Sequence, residues 1–175
     1  MRYPMISRDS IRKFSAQSAI SALSVFQSSC YKKVDYKISE EANVKDAVLR
    51  FSAFNVGCLA VADKNNKVVG VVSERDYINK VAAFDKYMQA LKVKDICTYG
   101  PNIIVAKASD SLDTCMNKMM FKDIRHLLIV DDENKQCVGM ISIKDLTKEV
   151  LKHKSETITR LSDFHIGKGG FFGSE

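Results

Sequence analysis

The sequence predicts an α/β (α+β) fold built from two copies of one β-α-β-β-α unit. Three observations carry that expectation. Ten residues from Val68, VVGVVSERDY, align in register with ten from Cys137, CVGMISIKDL; both read apolar-Val-Gly-apolar-apolar-Ser-x-basic-Asp-apolar. Each stretch follows a short apolar run and a polar turn (CLAVAD then KNNK, HLLIVD then DENKQ), the pattern of a β-hairpin. Each hairpin is flanked by segments with apolar residues at helical spacing. Cys58 aligns with His126, 68 positions on, and Val68 with Cys137, 69 positions on, so the second turn holds one extra residue. Self-similarity at a fixed offset marks an internal duplication. A single unit of this size has little core of its own, so the two copies are expected to pack together.

In chain order, residues 1–33 read as a basic N-terminal extension, with Arg2, Arg8, Arg12, Lys13, Lys32 and Lys33 against Asp9 alone. Its Arg- and Ser-rich, acid-poor composition without a long apolar stretch is that of a mitochondrial targeting segment. A plain disordered basic tail has the same composition. Residues 34–90 form the first repeat. DYKIS is a short strand, and NVKDAVLRFSAFN sets Val44, Ala47, Val48, Phe51 and Phe54 at helical spacing. After the hairpin, ERDYINKVAAF is a helix with Tyr77, Ile78, Val81 and Ala82 on one face.

Residues 91–152 form the second repeat. VKDICTYGPNIIVA leads into a strand holding Ile103, Ile104 and Val105. SLDTCMNKMMFKD places Leu112, Cys115, Met116 and Met119 on one helix face, and IKDLTKEVLKH closes the repeat after its hairpin. Residues 153–175 continue as a short helix with Ile158, Leu161 and Phe164 on one side, then a Gly-rich tail with Phe171 and Phe172. Such a tail is either a frayed end or a docking element.

Composition narrows the function. Hydrophobic residues at 46% with charged residues at 27% indicate a globular chain. The net charge of +6 sits almost wholly in the first 33 residues, so the body is near neutral, which argues against a nucleic-acid-binding domain. No apolar run of about 18 residues exists to span a bilayer. The five cysteines form no CxxC and no Cys/His pair at metal spacing, so no metal is expected and the thiols read as reduced, small core residues. No GxSxG, HExxH or glycine-rich phosphate loop is present, so no enzymatic activity is expected.

Ser73-Glu74-Arg75-Asp76 and Ser142-Ile143-Lys144-Asp145 each stand between a strand and a helix. Ser-x-x-Asp at that point is a capping-box pattern, which needs no ligand. The same residues suit a nucleoside monophosphate: the serine hydroxyl adds a donor beside unpaired helix N–H groups, and a carboxylate one turn in accepts ribose hydroxyls. Both readings stand on the sequence alone.

The two β-α-β-β-α units, each with a turn, Val-Gly, two apolar residues and Ser-x-x-Asp, resemble a tandem pair of CBS (cystathionine-β-synthase) domains. IRHLLIV at 124–130 is similar to the IRHLPV segment of these modules, with Leu128 where the family usually has proline. VKDICT is similar to their VKDIMT segment, with Cys97 in place of methionine. The resemblance covers residues 34–152, and the basic arm with a short C-terminal helix resembles small stand-alone mitochondrial members of the family.

The resemblance implies two repeats about a pseudo-twofold axis with two clefts, each drawing on both repeats. In the first, Asp76 would receive the ribose with Ser73 near the phosphate. Ile103 and Ile104 would edge the adenine, and Arg125, His126 and Lys144 would face the phosphate. In the second, Asp145 and Ser142 would be joined by Tyr36, Lys37 and Arg75. Gly57 and Cys58 stand there for Arg125 and His126, so this cleft should be weaker, empty or selective for another ligand. The implied ligand is an adenine nucleotide (AMP, ADP or ATP), with NADH and S-adenosylmethionine also within the family's range. The implied role is non-catalytic regulation of another chain on the matrix side of mitochondria, as a homodimer or as a subunit of a larger complex. The alternative is an accessory subunit whose clefts are vestigial or permanently filled.

Overall fold

The computed structural model of the chain describes residues 20–84 and 90–165. The duplication is visible strand by strand. In the first sheet β1 (Lys37–Ser39) pairs parallel with β2 (Cys58–Ala62), which pairs antiparallel with β3 (Val68–Ser73), and β3 with β4 (Thr98–Tyr99). In the second, β5 (Val105–Lys107) pairs parallel with β6 (His126–Val130), and β6 antiparallel with β7 (Cys137–Ser142). The register repeats as well. Lys37 faces Ala60 as Val105 faces Leu128, and both hairpins carry an irregularity at the same place, Val61/Ala62 and Ile129/Val130.

The helices follow the predicted periodicity. Helix α1 (Ala22–Ser28) precedes the first sheet, and α2 (Val44–Phe54) buries Val44, Ala47 and Phe51, three and four residues apart. Asn43 and Asp46 close a capping box at its start, and Asn55 ends it in the left-handed region at φ 52°. Helices α3 (Glu74–Lys80) and α4 (Val93–Ile96) follow. Helix α5 (Leu112–Phe121) buries Cys115 and Met119 behind a Ser111 cap, and α6 runs unbroken from Ile143 to His165. Three positions of the repeats' expected apolar faces are exposed: Phe54 at the end of α2, and Ile78 and Ala82, because the short α3 turns only Tyr77 and its closing Val81 inward. Ile103 and Ile104 also differ from expectation. They precede β5 in coil, after a 3-10 turn at Gly100–Asn102.

The larger difference is at the N-terminus. The folded body starts by residue 20, not residue 34. Ala22, Val25, Phe26 and Tyr31 are buried in the common core, so the last part of the expected basic extension is structural. Helix α1 docks on the second repeat through Ala22 N–H to Asp110 C=O (2.8 Å), Leu23 N–H to Ala108 C=O (3.2 Å) and Leu112 N–H to Ile20 C=O (2.9 Å). Residues 91–94 dock on the first repeat in the same manner: Val93 N–H to Ala42 C=O (2.9 Å), Lys94 N–H to Glu40 C=O (3.0 Å) and Val44 N–H to Leu91 C=O (2.9 Å). Each repeat therefore lends its opening segment to the other. Composition misled here because α1 shows outward serines and a glutamine beside its buried apolar side. Residues 1–19, and Phe171 and Phe172, lie outside the described residues.

The repeated glycine has a packing reason in both copies. A Cβ on Gly70 would lie 2.8 Å from the Thr98 carbonyl oxygen, and one on Gly139 would lie 2.8–3.0 Å from the Phe26 ring. The opening segment of each repeat thus crosses the glycine of the other repeat's hairpin, by backbone in one case and by an aromatic ring in the other.

Candidate functional site

Where β3 passes into α3, Asp76 accepts from Ser73 N–H (2.9 Å) and from the Ser73 hydroxyl (2.7 Å), both on Oδ2. Its other oxygen, Oδ1, pairs with Lys80 at 2.9 Å. Lys80 also donates to the Ile96 carbonyl, so it ties the carboxylate to the segment that leads into the second repeat. The capping box is therefore real, and it holds Asp76 half-buried at the edge of a cleft between the repeats. Oδ1 keeps acceptor capacity beyond its lysine, since an ionised carboxylate offers about four acceptor sites.

This cleft encloses about 210 Å³. Ser73, Asp76, Ile103, Ile104, Arg125 and His126 all line it, so six of its seven sequence-predicted residues come together. Lys144 does not. It is exposed and stands beside Asp145, in the first turn of the other repeat's closing helix. Arg75, expected at the second cleft, lines the first instead and donates to the Asp123 carbonyl (3.0 Å) and carboxylate (3.3 Å). The reason is local: a residue adjoining the aspartate in a helix's first turn stays at the cleft of its own aspartate.

The positive charge at the cleft is thus two guanidiniums, Arg75 from one repeat and Arg125 from the other, set against the Asp76 and Asp123 carboxylates. His126 adds none. Burial, with Arg125 close by, pushes its imidazole down to about 4, so the ring is neutral at pH 7. Val71, Met140 and Leu128 complete the apolar wall. Sequence reasoning missed them as site residues, although their alternation within the hairpins places them on one sheet face. It also missed Lys80 and Asp123; Asp123 sits at φ 48° just past the end of α5, and no motif marks it.

The second set of residues is assembled differently. Ser142 and Asp145 repeat the cap, with Ser142 N–H and hydroxyl donating to Asp145 Oδ2 at 2.8 and 2.7 Å. Here the carboxylate is buried, and it also accepts the Ser29 hydroxyl at 2.9 Å. Tyr36 packs edge-on to Phe26 and Tyr31 with ring centroids 6.4 and 6.3 Å apart, and burial raises its hydroxyl pKa to about 12. Cys58, expected at the second cleft, is buried behind the first and lines it, and its thiol is pushed up to about 12 by desolvation. Lys37 lies elsewhere, in a polar groove between the two hairpin turns with Lys67 and Lys135. Of the five residues expected to form a second cleft, Tyr36, Ser142 and Asp145 gather around the N-terminal segment, while Lys37 and Arg75 belong to other surfaces.

Among the described residues, no group of His, Cys, Asp and Glu is placed to hold a metal ion, and no helix is long and apolar enough to cross a membrane.

Comparison with known proteins agrees with this architecture. The CBS domain family matches residues 33–83 and 93–152. A mitochondrial CBS domain-containing protein of Arabidopsis thaliana is 30% identical over 126 residues, 71% of this chain; the chain spans 60% of that relative's length. A CBS-domain protein of Burkholderia ambifaria superposes with a TM-score of 0.67 at 28% identity, covering 75% of this chain and 94% of that one. A CBS domain protein of Pyrobaculum aerophilum, solved in complex with AMP, gives a TM-score of 0.56 at 26% identity over 62% of this chain and 80% of that one.

Proposed function

The chain belongs to the CBS domain family, and from that premise we propose that it is a non-catalytic nucleotide sensor. It binds an adenine nucleotide in the cleft between its repeats and transmits the occupancy to another protein. The observation that carries the reading is the open cleft itself. One wall supplies a half-buried carboxylate with spare acceptor capacity, the other supplies Ile103 and Ile104, and a guanidinium from each repeat stands at the opening. Those groups match the three parts of a nucleoside monophosphate: ribose hydroxyls on Asp76, a base against the isoleucines, and a phosphate between Arg75 and Arg125. The AMP bound by the Pyrobaculum protein supports the ligand class. The mitochondrial Arabidopsis relative supports a place in that organelle; the matrix side is part of the proposal.

Because the ligand touches both repeats, filling the cleft favours one packing of the repeats over others and so alters what they present to a partner. Arg75 can release Asp123 and turn to a phosphate at little cost, since an exposed ion pair is worth about 0–1 kcal/mol.

A second reading, an accessory subunit of a larger mitochondrial complex, draws on α6. Its distal part stands away from the core with Leu151, Ile158 and Leu161 exposed. Calorimetric titration of the full chain with AMP, ADP, ATP, NADH and S-adenosylmethionine separates the two. Saturable binding that disappears in Asp76→Ala supports the sensor. No binding, together with no nucleotide released when the purified protein is denatured, removes the sensor reading and leaves the accessory one.

A further inference from the structure

The first cleft is open, but its pseudo-twofold counterpart is full, and what fills it is the chain itself. Asp145 holds the position of Asp76. Asp76 stands half-buried at an open mouth, whereas Asp145 is buried and accepts the hydroxyl of Ser29, itself 1% exposed. Two residues on, in the 3-10 turn Cys30–Lys32, Tyr31 is also 1% exposed. Its ring stands edge-on to Tyr36 and to His126, with centroids 6.3 and 5.9 Å away. Tyr36 is the counterpart of Ile104, which lines the open cleft. The Tyr31 hydroxyl is buried, with the Cys58 backbone beside it but no well-formed hydrogen bond closed. The matching turn of the second repeat, Gly100–Asn102, is exposed and carries no aromatic ring, which is why the first cleft stays open.

We propose that Ser29 and Tyr31 are a built-in ligand of the second cleft. The Ser29 hydroxyl takes the place of a ribose hydroxyl on Asp145, and the Tyr31 ring takes the place of the base. Beneath them lies a latent second nucleotide site, so the chain binds one nucleotide rather than two. This rests on the reading of Asp76 as a ribose acceptor. A buried hydroxyl without a proper partner is a costly group to keep, so the occupant is displaceable rather than locked. His126 touches Tyr31 on one side and lines the open cleft on the other, so departure of Tyr31 changes a wall of the first site.

Equilibrium dialysis of the full chain against AMP tests this. The wild type should bind one AMP per chain. Ser29→Gly/Tyr31→Ala should bind two, and adding Asp145→Asn should remove the second. Two AMP on the wild type would overturn the inference and leave the nucleotide reading intact, as would one AMP on a folded double variant. No AMP on the wild type but one on the double variant, lost with Asp145→Asn, would uphold the inference and sink the reading of the first cleft. No AMP on either would sink both. Should the double variant not fold, amide exchange on the wild-type chain decides. AMP in large excess over that needed to fill the first cleft should speed exchange at residues 29–32 by on the order of tenfold, as the segment is displaced. Unchanged exchange there would overturn the inference.

Discussion

Ser29 and Asp145 lie 116 positions apart in the sequence and 2.9 Å apart in the fold, both buried. The matching aspartate of the first repeat, Asp76, has instead an exposed-side partner in Lys80. The two capping boxes are alike in sequence and differ in energetic role. Removing Asp145 leaves two buried serine hydroxyls, Ser29 and Ser142, without their acceptor, at about 1–3 kcal/mol each. Removing Asp76 loses a cap near solvent, at about 1 kcal/mol. Urea denaturation should therefore show Asp145→Ala destabilised by about 3 kcal/mol or more and Asp76→Ala by about 1–2. Equal losses would mean that the Ser29 contact adds nothing.

The two Val-Gly glycines predict a contrast in rescue. Alanine at either overpacks a tight contact and should cost about 1–3 kcal/mol. For a chain of this size, 1 kcal/mol lowers Tm by about 2–4 °C. At Gly139 the obstacle is the Phe26 side chain, so Phe26→Leu should restore part of the stability lost in Gly139→Ala. At Gly70 it is the Thr98 backbone, so no side-chain substitution there should restore Gly70→Ala. Thermal unfolding of the four chains checks both statements.

His126 sets a pH dependence whose sign follows from its burial. Its pKa falls from 6.5 to about 4 on folding. Between those values the unfolded chain holds a proton that the folded chain lacks. Stability is therefore full above about pH 7 and declines as pH falls from 6.5 toward 4, by on the order of 3 kcal/mol. His126→Gln should remove that part of the decline. The same acid-side slope in the variant would assign it to other groups.

The N-terminal segment makes a prediction about folding. Val25, Phe26 and Tyr31 are buried, and burying each such side chain contributes about 1.5–3 kcal/mol. Their sum is a large share of the 5–15 kcal/mol that holds a typical domain together. A chain beginning at residue 34 should therefore lose cooperative unfolding as read by circular dichroism. A sharp transition close to that of the full chain would show that the second repeat needs no cover from α1.

The repeat, the hairpins, most of the helix faces and the Ser-x-x-Asp steps were legible because each rests on local pattern: alternation, 3.6-residue spacing and a cap between strand and helix, whereas Ile103, Ile104, Arg125 and His126 were assigned to the first cleft only by the resemblance. What was not legible depends on contacts distant in sequence. Nothing around Ser29 or Tyr31 announces a partner at Asp145 or His126, and the Ser- and Lys-rich surroundings of α1 mask its buried side. Arg75 and Lys144 were misplaced for a related reason: the resemblance supplied which residues meet a ligand, but the direction of a helix's first turn decides where each one points, Arg75 into the first cleft and Lys144 to the exposed surface. The charge state of His126 was equally out of reach, since burial sets it and Tyr31 contributes to that burial.

The two arginines give the sharpest test of how the cleft reads its ligand. Each charge-assisted hydrogen bond to a phosphate is worth about 1.5–3 kcal/mol, or roughly ten- to hundredfold in Kd. Arg75→Ala and Arg125→Ala should each weaken AMP binding by that factor. Adenosine, which lacks the phosphate, should bind both variants as it binds the wild type if, as proposed, the base and ribose rest on the isoleucines and Asp76. Asp123→Ala should tighten AMP binding slightly, since it frees Arg75 from its resting acceptor. Calorimetry with AMP and adenosine on the three variants checks each outcome. Equal losses for the two ligands would show that the arginines hold the repeats together rather than the phosphate.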